Sequence, residues 1–450
     1  MWPLRTIGYF AVFGAACLMS LVNPIWGVIN YMIIYQMDPT DRWWGQPLTD
    51  AGMRFSLLAA AFTLLGLITA RKRVPRVRPA FSLWEWGLVA IFGIATCNIV
   101  LGIGYSGAAR SEFEKFWKVL LFTLVFSRLA STRKNLIMIL WTLVAGSLCL
   151  GYDAYTAPSW AFVLGRLETV GGPDFSTTSG AAAHLSAMLP LIAAAFLIAP
   201  NWKWKLFAAL SGAFTFNAVI MCRTRSAFIG MVVGVLAAFM VAPRVQRYRI
   251  HALLIGGCAA AFILTDDHFW QRMETLTDQT SLETDLATVS RREIWKASLN
   301  ILADHPLGVG VGNFTRIIGD YDPRHYKRSS HNSIIVCFLE LGIQGGIVFV
   351  LLVVGSLWYL RRAAKLAPWT ERPTETVFLR YGLLISLVTY LVTALGTQRF
   401  YCESFWWVLT MPLCLYRIAL SEARSRENRV CEVREPAPSC DAVPWAWVPT

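Results

Sequence analysis

Long apolar stretches separated by short polar turns recur along the whole chain. A helix of about 20 residues crosses the hydrocarbon core of a bilayer, and the apolar stretches here are 13 to 30 residues long before their flanking residues are counted. The pattern predicts an all-α, polytopic membrane protein with about 12 transmembrane helices. We expect these helices over residues 7–36, 55–70, 83–103, 113–126, 136–150, 181–199, 206–221, 226–241, 252–264, 334–360, 381–395 and 405–420.

The first apolar stretch, residues 7–36, is longer than one span requires and is interrupted at Asn23-Pro24. Two short helices around this proline would place the N-terminus outside the cell. That arrangement would break the alternation of basic turns described next. We therefore expect one long helix that is kinked at the proline or tilted in the membrane.

Lysine and arginine gather in alternate turns, which predicts that those turns and both termini are cytoplasmic. The remaining loops then face outward, and two of them are large: 152–180 and 266–331. The predicted organisation is nine helices within 1–265, a periplasmic catalytic loop of helical character over 266–331, three helices within 332–420, and a disordered cytoplasmic tail over 421–450.

Composition supports the membrane assignment, because 56% of the residues are hydrophobic and only 15% are charged. The net charge of +13 would otherwise suggest nucleic-acid binding. The cations lie mostly in the turns, so we expect membrane lipids and no nucleic acid as partners. The cysteines fall largely in apolar stretches without a CxxC pair, which is typical of core residues.

The first candidate catalytic residue is His331, which lies where a polar segment changes into an apolar one. His331-Asn332-Ser333 has the composition of a capped helix start. A neutral imidazole there could accept a proton from an attacking hydroxyl, which typically contributes about 10²–10⁴-fold to a rate. The alternative is that His331 is itself a helix cap or a structural residue.

Three arginines outside the predicted cytoplasmic turns are candidate anion ligands. Arg223 and Arg225 occupy a tight outer turn, where they could face a polar cavity or extend to lipid headgroups. Arg291 lies four residues before Trp295 on a predicted helix, so its guanidinium could hold a diphosphate while the indole anchors at the membrane interface. A salt bridge from Arg291 to a nearby carboxylate, Glu293 or Asp304, is the alternative.

Two other functions of the same segment, metal binding and cofactor binding, are less well supported by the spacing of its residues. A metal site could draw on His305, His325, His331, Asp320 and Asp322, but these residues match no established ligand pattern, so we expect no metal. The turn HPLGVGVGNF resembles a dinucleotide fingerprint but lacks a βαβ unit, and we expect no cofactor. For Glu340, in the apolar stretch, we expect an ion pair with an arginine or lysine.

The order of these motifs resembles that of the O-antigen ligase and polymerase superfamily. The motifs are Thr224-Arg225-Ser226, Arg291-x-x-x-Trp295, His305-Pro306-Leu307-Gly308-x-Gly310-x-Gly312-Asn313-Phe314, His331-Asn332-Ser333 and Glu340-Leu341-Gly342-x-x-Gly345-Gly346.

Members of that superfamily move a glycan from an undecaprenyl-diphosphate donor to an acceptor without a metal. The resemblance implies such a glycosyltransferase in the bacterial inner membrane, with its site facing the periplasm and a lipid A core or similar acceptor. It implies that Arg225 and Arg291 bind the diphosphate and that His331 is the general base. We add Arg166, Arg223, Asn313 and Asn332 as expected substrate ligands.

The motifs do not identify the acceptor of the glycan. Many members of the superfamily have asparagine in the segment before the helix that begins near residue 181, where this chain has Asp174. An O-antigen or exopolysaccharide polymerase and a protein O-oligosaccharyltransferase of the same superfamily are alternatives, as is a ligase associated with exosortase systems. A transporter is the alternative from another class, but its polar groups would be expected near the bilayer midplane.

Overall fold

The computed structural model describes residues 4–75, 77, 81–101, 107–163, 165–168, 170–172, 174–242, 247–265, 267–274, 286–366 and 375–434. These residues are mainly helical, as predicted. The helices in chain order are α1 (Leu4–Val22), α2 (Ile25–Met37), α3 (Gln46–Asp50), α4 (Phe55–Thr69), α5 (Leu83–Leu101), α6 (Gly107–Leu129), α7 (Arg133–Tyr155), α8 (Thr178–Ile198), α9 (Trp202–Cys222), α10 (Arg225–Val241), α11 (Arg247–Leu264), α12 (Asp267–Glu274), α13 (Leu286–Asp304), α14 (Phe314–Tyr321), α15 (Ser333–Leu366), α16 (Glu375–Ala394) and α17 (Glu403–Arg434).

A short antiparallel β-hairpin interrupts the helices between α7 and α8. Its strands are β1 (Phe162–Val163) and β2 (Arg166–Leu167), with Phe162 paired to Leu167. Four single turns of 3₁₀ helix complete the described elements, at Pro39–Asp41, Arg71–Arg73, Ser159–Ala161 and Pro323–His325.

Seven of the described helices are long and apolar enough to cross a membrane by length and composition, namely α1, α5, α7, α8, α9, α15 and α16. The apolar helices α4 and α10 are shorter. The predicted count of about 12 spans is therefore not confirmed by these criteria. The chain is nevertheless a multi-pass membrane protein, because several apolar helices pack side by side.

The first apolar stretch was wrongly predicted to be one helix. It forms two helices, α1 and α2, which run antiparallel: Cys17 Sγ accepts a hydrogen bond from Asn30 Nδ2 at 3.4 Å, and Thr6 Oγ1 donates to the Trp44 carbonyl at 2.6 Å. Pro24 ends the helical hydrogen-bond ladder because it has no backbone N–H. The N-terminal end of α1 consequently lies beside the loop that follows α2.

Successive long helices alternate in direction, so the loops fall at two ends of the bundle. We call one the site end, which comprises residues 37–54, 155–178, 222–225, 321–333 and 394–403. The other is the basal end, which comprises residues 22–25, 69–75, 81–85, 129–133, 198–202, 361–366 and 417–422. Contacts between distant loops support this grouping, for example Arg399 Nη1 donating to the Asp174 carbonyl at 2.7 Å at the site end.

Two further features bear on the predicted organisation. Helix α15 contains a break at Gly342, whose backbone is non-helical at φ 74° and ψ −179°. Helix α17 continues to Arg434, so the first part of the predicted disordered tail is helical, and residues 435–450 lie outside the described residues.

Candidate functional site

His331 stands two residues before the start of α15 with an exposed side chain. The cap of α15 is provided by its neighbour, because Asn332 Oδ1 accepts hydrogen bonds from the amides of Ile334 at 2.9 Å and Ile335 at 3.1 Å. Capping by Asn332 leaves the His331 imidazole available for chemistry. It also gives Asn332, a predicted substrate ligand, a structural role.

The backbone of His331 is left-handed, with φ at 48°. A side chain with a Cβ atom meets the carbonyl oxygen in this conformation, at a cost of about 1–2 kcal/mol. The His331 amide donates to Ser329 Oγ at 3.3 Å, which helps to hold the turn. Strained backbone of this kind persists where the surrounding structure fixes it, and it is common at functional sites.

Helix α13 places Arg291 near His331. Trp295 Nε1 donates to the Ser330 carbonyl at 3.0 Å, so the indole joins α13 to the residue immediately before His331. Arg291 lies one helical turn away on the same face. The pKa of His331 is lowered, first because the surrounding protein desolvates the imidazole even though part of the residue stays exposed, and then by the positive charge of Arg291. The Arg291-x-x-x-Trp295 spacing therefore has a structural reason beyond the predicted interfacial anchoring.

The carboxylates suggested as alternative partners of Arg291 have other partners. Glu293 accepts a hydrogen bond from Arg324 Nη1 at 3.4 Å and contacts His325 Nε2 at 2.9 Å. Asp304 Oδ2 accepts a hydrogen bond from the Tyr321 hydroxyl at 2.6 Å.

The turn between α9 and α10 holds the other predicted arginines together. Arg223 ends α9 with a left-handed backbone at φ 46°, and its Nη1 donates to the Gly165 carbonyl at 2.7 Å. Arg166 follows in strand β2. Its pKa is lowered, mainly by burial, with a further contribution in the same direction from Arg225, so the two guanidiniums are close enough to repel. Arg223 therefore attaches the hairpin to the turn that begins α10.

One loop, residues 396–399, contacts both helix starts that carry the candidate residues. Ser333 Oγ donates to the Thr397 carbonyl at 2.9 Å and accepts from the Arg399 amide at 2.7 Å. A Cβ atom on Gly396 would lie 2.5 Å from the Cβ of Ser226, so the loop also closely approaches the start of α10. The structure thus brings the Arg225 and His331 segments to the same loop at the site end.

A polar cluster beneath this loop was not predicted from the sequence. Asp174 forms an ion pair with Lys115, and it accepts a hydrogen bond from the Tyr35 hydroxyl at 2.7 Å. Its carbonyl accepts the Arg399 bond described above. The partners come from α2, α6 and the 396–399 loop, so Asp174 fixes the long 152–180 loop against the bundle. The sequence had singled out Asp174 only as a departure from the superfamily pattern, and nothing in it connected Asp174 with Lys115 or Arg399.

The glycine-rich turn packs against the break in α15. The amides of Val309 and Gly310 donate to the carbonyls of Leu339 at 2.8 Å and Glu340 at 3.0 Å. These bonds satisfy carbonyls that cannot find a partner one turn later because Gly342 interrupts the helix. Gly308 must lack a side chain here, since a Cβ atom would lie 2.5 Å from the Gly342 nitrogen.

Glu340 is held by hydrogen bonds, so the expected ion pair is wrong for the residues that the structure describes. Its carboxylate accepts from the amides of Gly312 at 2.8 Å and Phe314 at 3.3 Å, and from the Tyr401 hydroxyl. Asn313, a predicted substrate ligand, donates its Nδ2 to the Val309 carbonyl at 2.9 Å within the same turn. These hydrogen bonds attach the glycine-rich turn to α15 through Glu340.

Two of the five residues weighed as metal ligands lie side by side, with His325 Nε2 3.7 Å from Asp322 Oδ2. Within the described part of the chain, the group with metal-ligand spacing is Glu293, Asp322 and His325. Arg324 bridges its two acids, with Nη2 2.8 Å from Asp322 and Nη1 3.4 Å from Glu293. Hydrogen bonding from Arg324 is the main cause that lowers the pKa of Asp322. The guanidinium already supplies the positive charge that a metal would provide.

Comparison with known protein families gives one match. Residues 210–350 match the model of a family described as O-antigen ligase. The matched range begins within α9 and ends within α15, so it contains Arg223, Arg225, Arg291 and His331 but not Arg166. A search of curated proteins found no match. The family match confirms the resemblance inferred from the motif order.

Proposed function

We propose that the chain transfers a glycan from undecaprenyl diphosphate to a lipid A core or similar acceptor, and the match of residues 210–350 to the O-antigen ligase family supports this proposal. The proposed reaction takes place at the periplasmic face of the bacterial inner membrane and uses no metal. The observation that carries this proposal is the position of His331. Its imidazole is exposed just before the start of α15 and lies near Arg291. It does not cap the helix, because Asn332 does.

In the proposed reaction, the acceptor hydroxyl oxygen attacks the anomeric carbon of the donor glycan. The new glycosidic bond forms as the bond from that carbon to the diphosphate breaks, and the electron pair leaves with the diphosphate. The His331 imidazole accepts the hydroxyl proton. A lowered pKa keeps this imidazole neutral near pH 7 and therefore able to accept the proton.

The leaving diphosphate needs positive charge more than it needs a proton. We assign that role to Arg225 and Arg291, whose planar guanidiniums can each bind two oxygens. Arg225 is also the first residue of α10, and the amides at a helix N-terminus favour an anion. Arg166 and Arg223 add positive charge beside Arg225. In this scheme Asn313 and Asn332 act through the backbone they hold.

The proposed site lies at one end of the bundle, at the turns that join helices. A transporter would more commonly have its polar groups near the midplane, so this position favours glycan transfer. The same chemistry serves a polymerase or a protein O-oligosaccharyltransferase, because only the hydroxyl-bearing acceptor changes.

Reconstitution tests the reaction directly. The full chain in lipid vesicles would receive an undecaprenyl-diphosphate glycan and a lipid A core acceptor, and both the transferred glycan and the released carrier would be measured. We expect transfer that persists in EDTA. Transfer that stops with EDTA and returns with a divalent metal would contradict the metal-independent scheme.

Deletion of the gene identifies the acceptor. Loss of all glycan from lipid A core indicates a ligase, and core carrying a single repeat indicates a polymerase. Loss of glycan from a protein indicates a protein glycosyltransferase. Surface glycans that are unchanged in all three classes would contradict the proposed function.

A further inference from the structure

A groove of about 580 Å³ opens at the basal end of the bundle, away from His331. It is lined by Trp358, Arg361, Arg362, Ala364, Lys365 and Arg380. The last turns of α15 supply most of the lining, and α16 supplies Arg380. Its volume falls within the ~300–1,000 Å³ that is usual for pockets that bind small molecules.

Four of the side chains that line the groove are cationic, and none of the described lining residues is acidic. The nearest described acids along the chain and on the adjoining helix are engaged elsewhere: Arg133 binds Glu375 at 3.1 Å and Glu422 at 2.8 Å. Arg426 adds another cation nearby, since its Nη2 donates to the Leu366 carbonyl at 3.2 Å. The charge of the groove is therefore complementary to an anion.

The groove also has an apolar side. The Arg362 guanidinium lies 4.9 Å from the centroid of the Trp358 ring, which orients an amphipathic indole at the rim. Exposed apolar side chains continue from Trp358 along one face of α15, at Val354, Leu351 and Ile347. Their spacing of three or four residues places them in one exposed stripe, which runs along α15 from the groove toward the middle of the helix.

We propose that this groove binds the headgroup of an anionic phospholipid, with an acyl chain along the Ile347–Trp358 stripe. Arg361, Arg362 and Lys365 neutralise the phosphate, and the stripe covers the hydrocarbon of the acyl chain. A free phosphate would use only the cations and would leave the stripe without a role. The site is separate from the proposed catalytic site, because α15 begins at the site end and reaches this groove only in its last turns.

Native mass spectrometry of the delipidated full chain tests this assignment. The probes are phosphatidylglycerol, phosphatidylethanolamine with the same acyl chains, and inorganic phosphate. We expect preferential binding of phosphatidylglycerol, and an Arg361→Gln/Lys365→Gln variant should bind it about tenfold more weakly, since each cation near a membrane surface adds to anionic lipid binding. The matched control is Arg71→Gln/Lys72→Gln, which removes the same charge from an exposed turn at the same end and should bind normally.

A photoreactive phosphatidylglycerol provides a second measurement on the unmodified chain. We expect crosslinked peptides from residues 347–365. The proposal is overturned by equal binding of the two lipids, by equal weakening in the control variant, by inorganic phosphate that displaces the lipid at similar concentration, or by crosslinks that map elsewhere.

Discussion

The two ends of the bundle hold their polar groups in different ways. At the basal end, Glu85 is fully buried, and both its oxygens are used by Arg417, whose nitrogens lie 3.1 and 2.6 Å away. At the site end, the backbone itself is unfavourable. All four described residues other than glycine with positive φ belong to its loops: Asp38, Arg223, Lys327 and His331.

This difference separates stability from function. A buried carboxylate that is bound by guanidiniums and hydroxyls locks α5, α6 and α17 together. Left-handed backbone costs stability, so it persists only where other contacts fix it. Two of the four strained residues, Arg223 and His331, had been selected from the sequence for chemical reasons alone. Strain and candidate chemistry coincide at the site end.

The largest expected effect comes from His331→Gly. Transfer should fall by about 10²–10⁴-fold, because the base is lost. The free energy of unfolding should stay within about 1 kcal/mol of the parent, since glycine adopts positive φ without the steric cost. Lys327→Gly is the matched control, with the same relief at φ 62° and no expected loss of transfer. Normal turnover by His331→Gly would remove the base assignment.

At the basal end, Arg417→Met should produce the opposite result. It leaves Glu85 buried with Arg128 as its remaining cationic partner, so we expect destabilisation by about 3 kcal/mol. Transfer per folded molecule should be unchanged. Thermal unfolding in detergent and activity normalised to folded protein measure the two effects. A variant that is stable but inactive would show that the basal end takes part in catalysis.

Arg225→Lys and Arg291→Lys keep the positive charge at the site end but remove the planar guanidinium, which can bind two oxygens at once. Bidentate bonds to diphosphate would be lost, and we expect transfer to fall by about tenfold with little change in unfolding temperature. Donor binding, followed by titration with undecaprenyl-diphosphate glycan, should weaken as well. Full activity of both lysine variants would return these residues to structural roles. Arg316→Lys, on the exposed face of α14, serves as the control.

A smaller effect is expected from Trp295→Phe. This change removes the hydrogen bond to the Ser330 carbonyl, which is worth about 1 kcal/mol, but keeps an aromatic ring. If the indole positions the His331 turn, kcat should fall a few-fold while KM changes little. A change confined to unfolding temperature would mean that Trp295 stabilises the loop without positioning His331.

The sequence predicted the helices well because their apolar periodicity is a local property. The four-residue spacing also predicted that Arg291 and Trp295 share one face of a helix, and both residues lie on α13. The Asp174 cluster could not be found this way. Its contact with Arg399 joins positions 225 residues apart, and no local pattern encodes such a contact.

Two incorrect predictions, the single first helix and the ion pair of Glu340, have the same origin. Whether Asn23-Pro24 kinks a helix or reverses it depends on what packs beside it, and here a Cβ atom on Gly66 would lie 2.1 Å from the Ser20 carbonyl, which shows how closely α4 approaches. Glu340 was expected to need a cation because it lies in an apolar stretch. The glycine-rich turn instead supplies backbone donors, and that turn is 26 to 28 residues away along the chain.

The finest test of the site end is the pH dependence of kcat/KM. A general base acts when it is neutral, so the rate should fall as pH drops through the pKa of His331. That pKa lies below its ordinary value near 6.5, first because the imidazole is partly buried and second because Arg291 is close. Arg291→Met removes only the second cause, so the acid limb should move upward but stay below pH 6.5. Arg292→Met, one position along the helix and exposed, should leave the limb in place. An acid limb that is identical in the parent and in Arg291→Met would mean that the titrating group is not His331.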